Sequence, residues 1–145
     1  YIHRKLIDLK YHIYGSTKYL EKHGYPKTVN DLNKHKFISY GKGAPSPVFN
    51  PDWALKLGMK DNKKRRSSMK VNSIMGLLLA VESGVGIAAL PDYLVSLSSN
   101  LIKLIPSEEG PITEAYFVYP ESLKNVARVQ AFRNFLYSKI SEWKF

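Results

Sequence analysis

The segment from Ser73 to Leu90 restricts the possible folds more than any other part of the chain. Ser73 can cap a helix in which Ile74, Met75, Leu77, Leu78, Leu79 and Val81 are apolar nearly all the way round, and Gly84 stops it. A helix without a polar stripe must be covered on every side, so the chain has to build a layered core around it. After Gly84-Val85-Gly86, the run Ile87-Ala88-Ala89-Leu90 reads as a short apolar strand, of the kind found in the middle of a parallel sheet covered on both faces. A buried helix feeding a central strand points to an α/β architecture.

The flanking segments extend this reading. Tyr1 to Lys10 is polar and mixed, and Tyr11-His12-Ile13-Tyr14 is a strand closed by Gly15 and Ser16. Ser16 and Thr17 can cap a short helix from Lys18 to His23, stopped by Gly24. Thr28, with Asp31 three residues on, is an acidic capping box for a second short helix. Phe37-Ile38-Ser39-Tyr40 reads as a strand, followed by an irregular loop through Gly41, Gly43, Pro45 and Pro47. Trp53, Leu55 and Leu57 repeat at period two and predict a strand, with Gly58 to Ser68 as a hairpin loop and Met69-Lys70-Val71 as the returning strand. Asp92 to Val95 is a short helix, and Leu101–Ile105 and Glu114–Tyr119 are two more strands. From Asn125 on, Val126, Val129, Phe132, Leu136, Ile140 and Trp143 fall at steps of three and four, an amphipathic helix that needs a partner surface.

Composition narrows function mainly by exclusion. At 145 residues and 44% apolar content the chain can bury a core unaided. It has no cysteine, which removes disulfides, thiolate metal sites and cysteine nucleophiles, and fits a reducing cytoplasm. The longest apolar run, near Ile74–Val81, is far short of the roughly 20 residues that span a bilayer, and no signal peptide opens the chain. His3, His12, His23 and His35 have no metal-ligand spacing; no cofactor is implied, and no nucleophile elbow, phosphate loop or carboxylate pair offers a catalytic residue. The formal charge of +10 is spread along the chain except at Lys60 and Lys63 to Arg66. That cluster reads as an exposed turn, with a nucleic-acid patch as the rival reading, and Gly58 to Ser68 has no aromatic to stack on bases.

Three segments taken together resemble the effector-binding domain of LysR-type transcriptional regulators. The first is Ile13-Tyr14-Gly15-Ser16-Thr17-Lys18-Tyr19-Leu20, then His23-Gly24-Tyr25-Pro26 and Asp31-Leu32-Asn33-Lys34-His35. The second is Val71-Asn72-Ser73, the buried helix, and Gly84-Val85-Gly86-Ile87-Ala88-Ala89-Leu90-Pro91. The third is Ala115 to Pro120 with Arg128 to Leu136. Their order and spacing cover about Arg4 to Ile140. Thr17 departs from the family, which often has Pro there, and Ser73 stands where Asp is common.

The resemblance implies a periplasmic-binding-protein-like (type 2) lobe with a mixed, mainly parallel sheet flanked by helices. It makes residues 1–145 a piece of the effector-binding domain: a second lobe at about 11–105, and a strand and helix at 106–145 that return to the first lobe in the family. Part of the first lobe and the winged helix-turn-helix would lie outside the chain. The closing helix, its face of Val126, Phe132 and Leu136 lacking its usual cover, would then pack on a second copy or back on its own lobe. The implied function is uptake of a small anionic effector between lobes, without catalysis. DNA contact would come only through the missing domain, in a homodimeric or homotetrameric cytoplasmic regulator.

Helix N-termini offer free amides and a positive dipole end to an anion, so Ser16, Thr17, Asn72 and Ser73 are candidate effector contacts, capping of its own helix being the other reading of each. Val85 and Gly86 would lie on the cleft wall, with Ile87 in the core. Phe49 and Trp53 would line the pocket mouth or close the small sheet. A transporter's solute-binding protein, which shares the lobe design, is the alternative function, ahead of a basic nucleic-acid-binding module.

Overall fold

A computed structural model describes residues 1–41, 50, 52–98 and 100–145. In chain order its elements are β1 (Ile2–Leu9), β2 (Tyr11–Ser16), α1 (Thr17–His23), β3 (Phe37–Tyr40), α2 (Trp53–Lys56), β4 (Ser67–Val71), α3 (Ile74–Glu82), β5 (Ala88–Pro91), α4 (Asp92–Val95), β6 (Leu101–Leu104), β7 (Thr113–Tyr119) and α5 (Ala127–Ser141). They form two compact units, one of Tyr1–Leu9 with Ile112–Phe145 and one of Lys10–Pro111.

The Lys10–Pro111 unit is organised by β2, whose six residues are all buried. It pairs antiparallel with β5, Tyr14 opposite Ala88, and antiparallel with β6, Ser16 opposite Leu101. β3 pairs parallel with β4, and a parallel bridge joins Phe37 to Ile87, closed by Ile38 N–H to Ile87 O at 2.9 Å and Ile87 N–H to Lys36 O at 2.9 Å. β3, β4, β5 and β6 therefore point one way and β2 alone runs against them, a mixed arrangement as expected, with both ladders of β2 antiparallel. α3 supplies Leu77, Leu78, Ala80 and Val81 to a core shared with Tyr14, Ile38, Ala88, Leu90, Leu94 and Val95. Its cover is one-sided, against expectation: Met75 and Leu79 are about half exposed, because only one face of the helix meets the sheet.

Two sequence expectations are corrected here. Trp53–Lys56 is a turn of helix and not a strand: Trp53, Ala54 and Leu55 are all buried, so the period-two pattern did not mark alternate faces. Carbonyls of this turn and of the residue after it are held by the Arg65 guanidinium, a contact 11 residues away that no local pattern shows. Consequently β4 has no hairpin partner in Trp53–Leu57 and instead joins β3, with Tyr40 opposite Val71. The loop through Gly43 to Pro47 and the side chain of Phe49 lie outside the described residues.

The other unit is a two-stranded antiparallel ladder of β1 and β7 with α5 along it. The opening residues are thus a strand, hidden in the sequence because the register shifts between Lys5 and Ile7 and breaks the alternation of apolar residues. Lys5 pairs with Asp8 at 2.7 Å and with Glu114 at 2.6 Å. α5 packs back on these strands: the Phe132 ring meets Phe117 edge-on at 5.7 Å, and Tyr137 OH donates to Lys5 O at 3.1 Å. Phe132 and Phe135 nonetheless stay more than half exposed. Among the described residues no helix is long and apolar enough to cross a membrane.

Candidate functional site

Strand direction decides which expected contacts can share a site. Ser16 ends β2, which runs against its neighbours, so it lies at the edge where β3, β5 and β6 begin. Asn72 and Ser73 follow β4 and lie at the opposite, carboxyl edge. Five residues of strand rise separate the two levels, roughly 15 Å along the strands. The six residues proposed from sequence therefore do not converge: Ser16, Thr17, Val85 and Gly86 gather at one edge, Asn72 and Ser73 at the other.

At the first edge some of the polar groups are already in use. Ser16 is fully buried, and its Oγ accepts from Tyr19 N–H at 3.3 Å, while Thr17 N–H donates to Asn100 O at 3.0 Å. Two of the first four amides of α1 are thereby satisfied. Gly84 turns at φ +80°, with the Lys18 side chain and Ser16 Oγ close to where a Cβ would sit. Gly86 is buried, and a Cβ on it would lie 2.4 Å from Lys36 O, so its lack of a side chain lets the backbones meet at the Phe37–Ile87 bridge. Val85 is exposed. Trp53 borders an apolar crevice of about 20 Å³, room for about one water and too small for an effector.

The carboxyl edge differs. Asn72 and Ser73 are both exposed, and Ser73 caps α3 through Gly76 N–H at a long 3.4 Å. Ligands in open α/β sheets bind outside the carboxyl ends of strands, and here the parallel ends of β3 and β4 stand beside the start of a nine-residue helix.

The structure also reveals groups that sequence inspection did not single out. Asp92, buried at the start of α4, accepts from His12 Nδ1 at 2.8 Å, Tyr14 OH at 2.7 Å and Lys103 Nζ at 3.0 Å. Burial on its own would raise its pKa, but the three donors outweigh that and hold the carboxyl below its ordinary value. Burial, and then the bond to that carboxylate, push the Tyr14 phenol far above its usual range, so it stays a donor. Alternation puts His12 and Tyr14 on one face of β2, but nothing in the local pattern ties them to a residue about eighty positions on. The network joins β2, α4 and β6 and acts as a structural clamp.

Arg65 corrects the reading of Lys63–Arg66 as a wholly exposed turn. It is buried, donating from Nε to Asn33 Oδ1 at 2.7 Å and from its terminal nitrogens to Ala54 O, Leu57 O and Val29 O, with Phe37 beneath it at 5.7 Å. Lys63, Lys64 and Arg66 are exposed, as expected. Among the described residues no group of three or more His, Asp or Glu could hold a metal ion.

Comparison with known proteins agrees with this architecture. Residues 1–140 match the LysR substrate binding domain. An HTH-type transcriptional regulator of Haemophilus influenzae is 31% identical over 126 residues, covering 82% of this chain and 41% of its own length. The HTH-type transcriptional regulator CrgA of Neisseria meningitidis is 29% identical over 145 residues, covering 94% and 46% respectively. The chain thus spans less than half the length of these relatives. The solved regulatory domain of CrgA superposes with a TM-score of 0.72 at 25% identity, covering 96% of this chain and 68% of that one. The regulatory domain of AphB from Vibrio vulnificus superposes at 0.65 and 21% identity, covering 94% and 69%, a likeness of fold. With its mixed sheet, α3 packed against the core and the Phe37–Ile87 bridge beside Gly86, and with residues 1–140 matched, the chain belongs to the LysR substrate-binding domain family.

Proposed function

We propose that this chain is part of the effector-sensing domain of a LysR-type transcriptional regulator, and that it takes up a small anionic molecule at the carboxyl edge of β3 and β4. The observation that carries the site is the placement of Asn72 and Ser73, exposed at the start of α3 where parallel strands end. Asn72 offers an amide to a carboxylate or hydroxyl, and Ser73 and the first amides of α3 offer donors with the positive end of the helix dipole behind them. Ser16, Thr17, Val85 and Gly86 shape the lobe at its other edge. Residues of the whole regulator outside this chain complete the pocket. The relatives favour a cytoplasmic regulator over a transporter's solute-binding protein. An effector acts by preferring one packing of protomers in a dimer or tetramer and so changing how the DNA-binding parts sit on their site.

The test is thermal melting of the full-length regulator against small carboxylates, amino acids, sugars and sulfate. One ligand class should raise the melting temperature, and Asn72→Ala should abolish that rise. Ser73→Ala separates capping from contact: a cap alone lowers every melting temperature equally and leaves the ligand-induced rise intact. A rise that survives both substitutions would refute the assignment of the site.

A further inference from the structure

Part of the cationic charge that the sequence concentrates near Lys63 to Arg66, namely Lys64, Arg65 and Arg66, borders a cavity. A space of about 390 Å³ is lined by Asp52, Lys64, Arg65, Arg66 and Lys70, together with Ser39, Tyr40, Leu55 and Ser67. Among the described lining residues four cations face one carboxylate, and that carboxylate is already paired with Lys64 at 2.7 Å. Among the described residues Arg65 donates to neutral oxygens and has no acidic partner within ion-pair distance. Arg66 and Lys70 have no acidic partner among the described residues, and none of the residues outside that description is Asp or Glu. The Ser67 hydroxyl is spent on Met69 O at 2.6 Å, so a ligand here would be held chiefly by the cations.

We propose that this cavity is a binding site for a small dianion, a phosphate-like oxyanion or a short dicarboxylate, gripped by Arg66 and Lys70. A charge buried without a counterion is costly, and an anion in the cavity would offset the field of Arg65 without disturbing its hydrogen bonds. Arginine suits the recognition, because its planar donor fork fits the paired oxygens of carboxylate and phosphate. The volume is that of a small-molecule pocket. Neither Asn72 nor Ser73 lines it, so the site is separate from the effector site proposed above.

The experiment is calorimetric titration of the 145-residue chain with phosphate, sulfate and malonate at ionic strength held constant with sodium chloride. Saturable one-site binding is expected, and preference for malonate over phosphate and sulfate, or the reverse, tells the carboxylate source from the tetrahedral one. Arg66→Gln and Lys70→Gln should each weaken binding about 10- to 100-fold, the worth of one charge-assisted hydrogen bond. Lys63→Gln, exposed and outside the lining, should leave it unchanged, as should Asn72→Ala. Arg66 and Lys70 are exposed, and melting curves should show both variants folded like the parent. The proposal is overturned if no dianion saturates the chain at millimolar concentration, or if Lys63→Gln weakens binding as much as Arg66→Gln, which would mean diffuse screening. It is also overturned if Asn72→Ala abolishes binding, or if Arg66→Gln removes binding of a short DNA duplex while the dianions do not bind.

Discussion

Replacing Asp92 with Asn tests whether the buried clamp holds the Lys10–Pro111 unit together. The substitution keeps shape and volume but removes the charge and turns one acceptor oxygen into a donor amide facing three donors. Hydrogen bonds to a charged group contribute about 1.5–3 kcal/mol each. The bonds from His12 and Tyr14 are buried and count in full, whereas the Lys103 side chain is 34% exposed and its bond is discounted toward surface values. Breaking a buried pair of this kind costs about 3–5 kcal/mol, a large share of the roughly 5–15 kcal/mol that holds a domain folded. At about 3 °C per kcal/mol for a chain of this size, the melting temperature should fall by about 10–15 °C. Urea unfolding at pH 7, followed by emission of the buried Trp53, reports on this unit because Trp143 is largely exposed. Tyr14→Phe alone should cost about 1–2 kcal/mol, and the double substitution should cost clearly less than the sum, because the two groups share one bond. A loss below about 1 kcal/mol for Asp92→Asn, or strict additivity in the cycle, would refute the clamp.

The same group fixes a direction for the pH dependence. Because the folded carboxyl titrates below its unfolded value of about 3.9, its contribution is fully present above that pH and is lost as pH falls through the lower folded value. Melting measured from pH 7 down to pH 3 should therefore steepen below about pH 4, and Asp92→Asn should flatten that arm. Ser16→Ala removes a buried cap and should cost about 1 kcal/mol in denaturant unfolding while leaving any ligand-induced shift unchanged. Gly86→Ala drives a Cβ to within 2.4 Å of Lys36 O, and the backbone shift it forces should cost about 1–3 kcal/mol; a variant as stable as the parent would show that the bridge is not tight.

Elements whose signals are local were legible in the sequence. The caps at Ser16, Thr28 and Ser73 form as their spacing implies, with the Thr28–Asp31 box complete. The glycine stops after α1 and α3 also hold, since Gly24 and Gly84 both adopt positive φ. What failed depended on distant partners. Trp53–Lys56 is bent into a helical turn whose carbonyls meet Arg65, and β4 takes its parallel neighbour from β3 across an interval of thirty residues at Phe37–Ser67. β1 was hidden by its own bulge. For the site, sequence could identify caps but not strand direction, and the single reversed strand β2 carries Ser16 and Thr17 to the edge opposite Asn72 and Ser73. Arg65 looked like one more surface cation because the oxygens that bury it lie on Val29, Asn33, Ala54 and Leu57.

These contacts divide the Lys10–Pro111 unit into a rigid part and a compliant part. β2 is held on both sides by β5 and β6, buried along its whole length, and fastened by Asp92. Among the described residues β4 has one strand neighbour, β3, with the Ser39–Ser67 side-chain bond at 2.8 Å beside it, and its residues are half-buried or exposed. Local opening is cheapest where few buried contacts and many solvent-facing backbone groups coincide, so β4 should open before β2. Both proposed ligand positions adjoin β4, Asn72 and Ser73 directly after it and Lys70 within it. A bound anion would therefore act on the strand that costs least to reorder, while the clamp keeps the remaining core fixed. Amide hydrogen exchange should show β4 exchanging well ahead of β2 in the free chain, with protection rising in β4 on addition of a dianion that binds. Equal protection of the two strands in the free chain would remove the basis for assigning β4 the moving role.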